Sequence, residues 1–250
     1  MKTRLHIYNR GSMLGYILGA ATSAAAASAA GYQCMSPTGQ WYGASFVGLD
    51  RKSKKLAFTY DDGPNDPHTF RLLEILAKHS VSATFFLIGQ FVAKRPDIAR
   101  EVLKAGHSIG NHTFSHPNLI FSSGKETRTE VERCQETLAD ALGQPIHLFR
   151  PPFGGRRPGT FDIARQLGLE PVMWSVTGWD WKGKPSQYVE QKVEQQVLGG
   201  DVVLLHDGGH EAFGADRSQT VIATDHLIAR YKAEGCDFLT IPQMMGTAKA

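Results

Sequence analysis

From residue 50 onward this 250-residue chain alternates between strand-like and helix-like patterns, and that alternation restricts its fold more than any other feature. Apolar runs of strand length fall at residues 55–60, 81–88, 107–111, 147–150, 171–176, 202–206 and 238–241. Helical patterns fall between them, at 67–79, 91–105, 125–142, 160–167, 186–198 and 218–233. The first helix is well marked. Asp66 is placed to cap it, Pro67 suits its first position, and Leu72, Leu73, Ile75 and Leu76 populate one face. Gly106, Gly143, Gly168 and Gly235 follow helical runs, where a left-handed residue stops a helix. Seven strands joined through helices must cross over, which makes neighbours parallel and the crossovers right-handed. A barrel and a doubly wound sheet both meet that condition. The polar clusters favour the barrel: Asp61-Asp62, His112 and His116, Arg150, Asp180 and His206-Asp207 each follow a strand-like run. Parallel strands send such ends to one rim, and five contributing strand ends suit a closed or nearly closed barrel better than a crevice between two strands. The expected fold is therefore α/β, a single-domain distorted seven-stranded (β/α) barrel of parallel strands.

The net charge of +3 matters less than its location. Residues 1–31 hold Lys2, Arg4 and Arg10 and no acid, which leaves 24 basic and 24 acidic residues in the remainder. A formally neutral body argues against nucleic acid as a partner, since such binders carry a clustered basic excess. The basic start, the uncharged stretch 11–31 with apolar Met13-Leu14-Gly15-Tyr16-Ile17-Leu18, and the small-residue site Ala27-Ser28-Ala29 have the layout of a secretory signal. A stretch of about twenty residues could also serve as a membrane anchor, although its glycine, serine and alanine make it weakly apolar. The reading is thus an exported or membrane-anchored protein, with a cytoplasmic one as the alternative. It divides the chain into 1–31 (signal or anchor), 32–53 (an N-terminal extension) and 54–250 (the main domain), and expects a monomer. Cys34, Cys134 and Cys236 cannot all pair within one chain and form no C-x-x-C, so neither a disulfide framework nor a cysteine zinc site is indicated.

Chemistry concentrates in a few motifs. Thr59-Tyr60-Asp61-Asp62-Gly63-Pro64 puts two carboxylates at the tip of a buried strand, where like charges need a cation, an arginine or a shared proton. His112-Thr113-Phe114-Ser115-His116 offers two imidazoles four positions apart. One aspartate with two histidines supplies three protein ligands and leaves positions open for water and substrate, the catalytic pattern of a metal site. Arg150 in Arg150-Pro151-Pro152-Phe153-Gly154 can pair with a rim carboxylate and hold it ionised as a base. Trp174 reads as core, whereas Trp179 and Trp181 fall in a loop where flat rings could stack on sugars or wall a small pocket. His206 ends the apolar run Val202-Val203-Leu204-Leu205 and suits a proton donor if an acid orients it. Asp180 is the candidate for that acid and Asp207 its competitor. His107, His147, His210 and His226 have no comparable company and read as surface or core residues, and Asn65 and the Arg156-Arg157 pair receive no role.

The ordered set Thr59–Pro64, His112–His116, Arg150–Gly154, Asp180-Trp181 and Leu204–His206 closely resembles the polysaccharide deacetylase family, also called carbohydrate esterase family 4, over residues 54–243. The resemblance implies a distorted (β/α) barrel that removes acetyl groups from N-acetylated amino sugars of a glycan of the chitin or peptidoglycan type. It implies a divalent metal, zinc first, with Co2+, Mn2+, Ni2+ and Fe2+ as alternatives. Asp62, His112 and His116 match the metal ligands and Asp61 the general base. His206 matches the general acid, Asp180 the group that orients it, and Arg150 the partner of Asp61. Trp181 and Leu204 match the lining of the acetyl-methyl pocket, and the Phe153 backbone N–H the oxyanion donor. Trp179 joins these as a substrate-binding candidate. Tyr60, Phe153 and Thr177 depart from the family's commoner residues without removing a matched catalytic group. Rival readings on the same site are an O-acetyl-glycan esterase, a non-sugar amidase and a carbohydrate-binding pseudoenzyme.

Overall fold

The computed structural model describes residues 10–248, and its centre is a curled parallel sheet. Seven strands run β5-β4-β3-β2-β1-β7-β6, all parallel: β1 (Lys55–Gly63), β2 (Thr84–Leu87), β3 (Ser108–Asn111), β4 (Leu148–Phe149), β5 (Glu170–Pro171), β6 (Val176–Thr177) and β7 (Val202–His206). An eighth, β8 (Asp237–Phe238), pairs parallel with the start of β1. The helices are α1 (Arg10–Met35), α2 (His68–His79), α3 (Gly89–Lys94), α4 (Pro96–Lys104), α5 (Gly124–Leu142), α6 (Thr160–Gln166), α7 (Ser186–Glu194), α8 (Ser218–Ala233) and α9 (Ile241–Ala248). Two apolar clusters hold the layers together. Phe58, Tyr60, Phe85, Val203 and Leu205 face α2 and α8 residues such as Leu72, Leu76, Leu227 and Ile228. Ala57, Phe86, Phe149, Val202 and Leu204 turn the other way, into the barrel interior with Phe161 and Trp174. The strand period of two thus splits β1 and β7 between two buried faces, which is why both read as continuous apolar runs.

The distorted parallel barrel expected from the alternation is the fold found, with differences that have local causes. The run 171–176 is two short strands, β5 and β6, that lie at opposite ends of the sheet. Residues 172–175 span the opening, and residue 46 pairs across it: Phe46 N–H donates to Pro171 O at 2.9 Å and Met173 N–H to Phe46 O at 2.8 Å. Nearby, Leu49 N–H donates to Gly200 O at 2.7 Å. The pattern 91–105 is two helices, because Pro96 lacks an N–H and the chain turns at Arg95 to start α4. Pro67, not Asp66, occupies the cap position of α2, without a side-chain cap bond. The Asp66 carboxylate is instead engaged by Arg95 at 2.8 Å. Residues 238–241 leave β8 at Phe238, and Ile241 already begins α9. A real capping box does start α5, where Ser123 and Glu126 exchange side-chain and backbone bonds. The three cysteines are free thiols.

Helix α1 runs through residue 31 and ends at Met35. Lys2 and Arg4, the basic start of the expected signal, lie outside the described residues. Among the described residues no helix is long and apolar enough to cross a membrane.

Candidate active site

A bulge in β1 creates the site. In a regular strand Asp61 and Asp62 would point to opposite faces. The register with β2 slips between Asp61 and Gly63, and Asp62 takes a left-handed φ of 72°. An extra residue of this kind re-aims a side chain, and both carboxylates end at the rim, with Asp61 Oδ2 3.6 Å and Asp62 Oδ1 3.5 Å from His112 Nε2. Left-handed backbone recurs at Thr113 (64°), His116 (62°), Phe153 (58°) and Trp179 (54°), all within the site or its walls. Each such residue costs on the order of 1–3 kcal/mol and persists only where its surroundings over-determine it.

The donor atoms of Asp62, His112 and His116 lie within 4.8 Å of one another, and all three residues are buried. His112 Nδ1 donates to Arg150 O at 2.7 Å, which fixes the tautomer and leaves the Nε2 lone pair facing the carboxylates. His116 Nε2 stands 3.1 Å from Asp62 Oδ1. That oxygen is buried without a hydrogen bond of acceptable geometry, although two ring nitrogens face it. Burial by itself would raise the Asp62 carboxyl, but His112, His116 and His210 outweigh it and hold the group well below the usual range. A carboxylate kept ionised against two aimed imidazole nitrogens is the donor set a divalent cation requires, so these residues fit the metal.

Asp61 is held separately. Arg150, wholly buried, donates from Nη1 to Asp61 Oδ1 at 2.7 Å and to Thr59 Oγ1 at 2.8 Å. Its other nitrogens reach Val172 O at 3.3 Å and Met173 O at 3.1 Å, and the ring of Phe86 lies 4.0 Å from the guanidinium carbon. The bidentate demands of a buried guanidinium are thus met by one charge and several neutral oxygens.

The β1–β7 register sets Asp61 beside His206. His206 Nδ1 donates to Asp180 Oδ1 at 2.8 Å, while Asp180 Oδ2 accepts from His206 N–H at 2.7 Å and Thr220 Oγ1 at 2.8 Å. Burial disfavours the imidazolium, but Asp180 first, then Asp62 and Asp61, outweigh it and push His206 up to about 9. Burial would likewise raise Asp180, yet His206 and the hydrogen bonds from it and from Thr220 hold the carboxyl below its ordinary value. Asp207, the competing acid, faces away: Thr69 Oγ1 donates to it at 2.5 Å, and burial raises it to about 7.

Asp61, Asp62, His112, His116 and His206 share one cleft of about 910 Å³ with Phe153, Trp179, Trp181 and Leu204. Trp181 meets His206 edge-on at 5.1 Å and lies tilted against Trp179 at 5.1 Å, and the largely buried Trp174 also lines the cleft. One residue set aside in the sequence belongs here. His210 stacks on His116 at 4.6 Å, meets Phe153 edge-on at 5.0 Å and brings Nδ1 to 3.7 Å from Asp62 Oδ2. Asn65 holds its loop in place, donating to Asp207 O and Ala215 O and accepting from Gly214 N–H. The signal available in sequence was position alone, four residues beyond His206 on the same strand-end loop. His107, His147 and His226 lie elsewhere. His107 is buried against Ala83 and Phe85, and His226 pairs with Glu190.

The family model for Polysaccharide deacetylase matches residues 48–172. The chain is 35% identical over 210 residues to a peptidoglycan-N-acetylglucosamine deacetylase of Bacillus cereus, covering 83% of this chain and 74% of that one. It is 33% identical over 201 residues to a chitooligosaccharide deacetylase of Azorhizobium caulinodans, covering 78% and 96%. The solved structure of the Bc1960 peptidoglycan N-acetylglucosamine deacetylase superposes with a TM-score of 0.74 at 34% identity, covering 80% of this chain and 91% of that one.

Proposed function

This chain belongs to the polysaccharide deacetylase family, and we propose on that basis that it is a metal-dependent hydrolase removing acetyl groups from N-acetylated amino sugars of a peptidoglycan- or chitin-type glycan. The observation that carries the reading is the adjacency of three separately held groups. An arginine-paired carboxylate, a buried Asp-His-His cluster and a carboxylate-paired histidine meet on neighbouring strand ends.

Asp62, His112 and His116 are the proposed ligands, and zinc suits two imidazoles and a carboxylate. The cation would polarise the acetyl carbonyl and a water molecule. Asp61 takes the proton of the attacking water: Arg150 occupies its Oδ1 and leaves Oδ2 for the transfer. The Phe153 N–H donates to the oxygen on which negative charge develops. His206 protonates the departing amine, a step the reaction needs because an amide anion does not leave, and Asp180 keeps that ring charged and oriented. Trp181 and Leu204 enclose the acetyl methyl, and Trp179 lies against the sugar. A cell-envelope glycan as substrate agrees with the export reading of residues 1–31, which we retain.

The test is acetate release by the metal-loaded full chain from chitooligosaccharides, peptidoglycan and acetylxylan, with Asp61→Asn as control. Release from an amino sugar, abolished by chelation and by Asp61→Asn, is the expected result. Acetate from acetylxylan alone would replace the amide reading with an ester one.

A further inference from the structure

Of the two histidines aimed at Asp62, only one has its ring oriented by a hydrogen bond. His112 Nδ1 donates to Arg150 O at 2.7 Å, which leaves Nε2 as the coordinating atom. A metal-binding imidazole almost always uses its second nitrogen in this way, because the bond sets both tautomer and ring angle. His116 departs from that pattern. Its Nε2 lies 3.1 Å from Asp62 Oδ1, yet its Nδ1 is buried and, among the described residues, has no hydrogen-bond partner. The same residue carries a left-handed φ of 62°, so its surroundings must fix it by other means.

Rings surround it instead. His210 stacks on His116 with centroids 4.6 Å apart and planes inclined by 25°. Phe153 meets His116 edge-on at 4.7 Å and His210 edge-on at 5.0 Å, and His112 meets His116 edge-on at 4.9 Å. Stacked and edge-on pairs at about 4.5–7 Å are the favoured aromatic arrangements. The loop of residues 207–217 holds His210 in this position. A Cβ at Gly208 would clash with the Asp62 carbonyl oxygen, so glycine there lets the loop start against the backbone of Asp62. Arg217 Nε donates to Gly208 O at 2.6 Å, Gly214 N–H donates to Asn65 Oδ1 at 2.8 Å, and Phe213 packs edge-on against Phe91 at 5.8 Å. The His210 ring then turns Nδ1 to 3.7 Å from Asp62 Oδ2, whereas His112 and His116 both face Oδ1. It flanks the ligand cluster without joining it.

We infer that His210 is a positioning residue for the metal centre, whose ring, stacked on His116, fixes that imidazole in place of the missing hydrogen bond and so tightens the site's hold on its cation. The inference rests on the metal reading of Asp62, His112 and His116 given above. Loss of an outer-shell partner of a metal ligand costs roughly 10–100-fold in affinity. A stacked ring acts through contact alone, which places His210 at the lower end of that range.

The experiment measures the Zn2+ Kd of the metal-stripped full chain by competition with a chromophoric chelator, in the wild type and in His210→Ala, His210→Gln and His210→Phe. The His210 side chain is 38% exposed, so all three variants keep the fold, and urea unfolding of each checks that they do. His210→Ala and His210→Gln bind Zn2+ about tenfold more weakly than the wild type. His210→Phe, which can stack but cannot coordinate, recovers at least half of that loss on a logarithmic scale. Unchanged affinity in His210→Ala overturns the inference. A loss as large in His210→Phe as in His210→Ala also overturns it, since the nitrogen and not the ring would then be at work. Absence of Zn2+ binding in the wild type overturns the metal reading itself, and this inference with it. Tight binding by both the wild type and His210→Ala overturns this inference alone.

Discussion

Replacing Asp180 by Asn tests whether the charge on His206 is made by its neighbour. Asp180 is the largest influence raising His206, and both oxygens of the carboxylate are used on it or on Thr220. Asn can keep an oxygen toward His206 N–H and Thr220 while turning its amide N–H toward Nδ1, so the fold is retained and the ring is held neutral. A fall of His206 from about 9 to the ordinary ~6.5 removes about 3 kcal/mol of preference for the imidazolium. At pH 8 that takes the protonated fraction from roughly nine-tenths to roughly one-thirtieth. The assay is NMR titration of labelled histidine in metal-stripped protein, paired with the pH profile of kcat/KM in loaded protein. In the wild type the ring titrates near pH 9, and the variant's ring titrates at least two pH units lower, with its alkaline limb displaced in the same direction. Stability follows by linkage. A folded value above the unfolded one contributes fully below pH 6.5 and is lost as pH rises through about 9, so wild-type unfolding free energy declines across that window and the variant's does not. An identical titration midpoint in the two proteins would refute the assignment of Asp180.

Three further outcomes are expected. Asp62→Asn weakens Zn2+ binding, read by competition with a chromophoric chelator, by more than the roughly 10–100-fold that loss of an outer-shell partner costs; tight binding by the variant would remove Asp62 from the ligand set. Asp61→Asn retains the metal and loses roughly 10²–10⁴ in kcat; loss of the metal instead would make Asp61 a ligand rather than a base. Arg150→Met leaves the buried Asp61 charge without its partner and lowers the unfolding free energy by about 3–5 kcal/mol in urea titrations. A loss under about 1 kcal/mol would mean that the pair behaves as an exposed one.

Much of this architecture was legible in the sequence, for identifiable reasons. Strand β7 coincides with residues 202–206 and α8 with residues 218–233, because a fully buried strand and a packed helix leave unmistakable apolar patterns. The convergence of Asp61, Asp62, His112, His116, Arg150 and His206 followed from their shared place after strands that turned out parallel. What escaped depends on contacts that have no local signature. The split between β5 and β6 is a break in hydrogen bonding within a stretch mostly buried throughout, so hydrophobicity could not mark it. Asp66 has the chemistry of a cap, but Arg95, 29 positions away, takes its carboxylate. His210 stands alone on its loop, and Arg156 acts on carbonyls 117 and 120 positions distant. No spacing rule reaches that far.

The pairing of residue 46 across the open seam bears on where this catalytic body begins. Phe46 satisfies the Pro171 carbonyl and the Met173 N–H, and Leu49 satisfies the Gly200 carbonyl. A chain cut at residue 54 would expose that β-edge with its backbone groups unpaired, a template on which another polypeptide could add a strand. Such a shortened protein would be prone to aggregate even with every catalytic side chain present. The segment before β1 is therefore an edge guard, and shortening it trades solubility, before chemistry, for size.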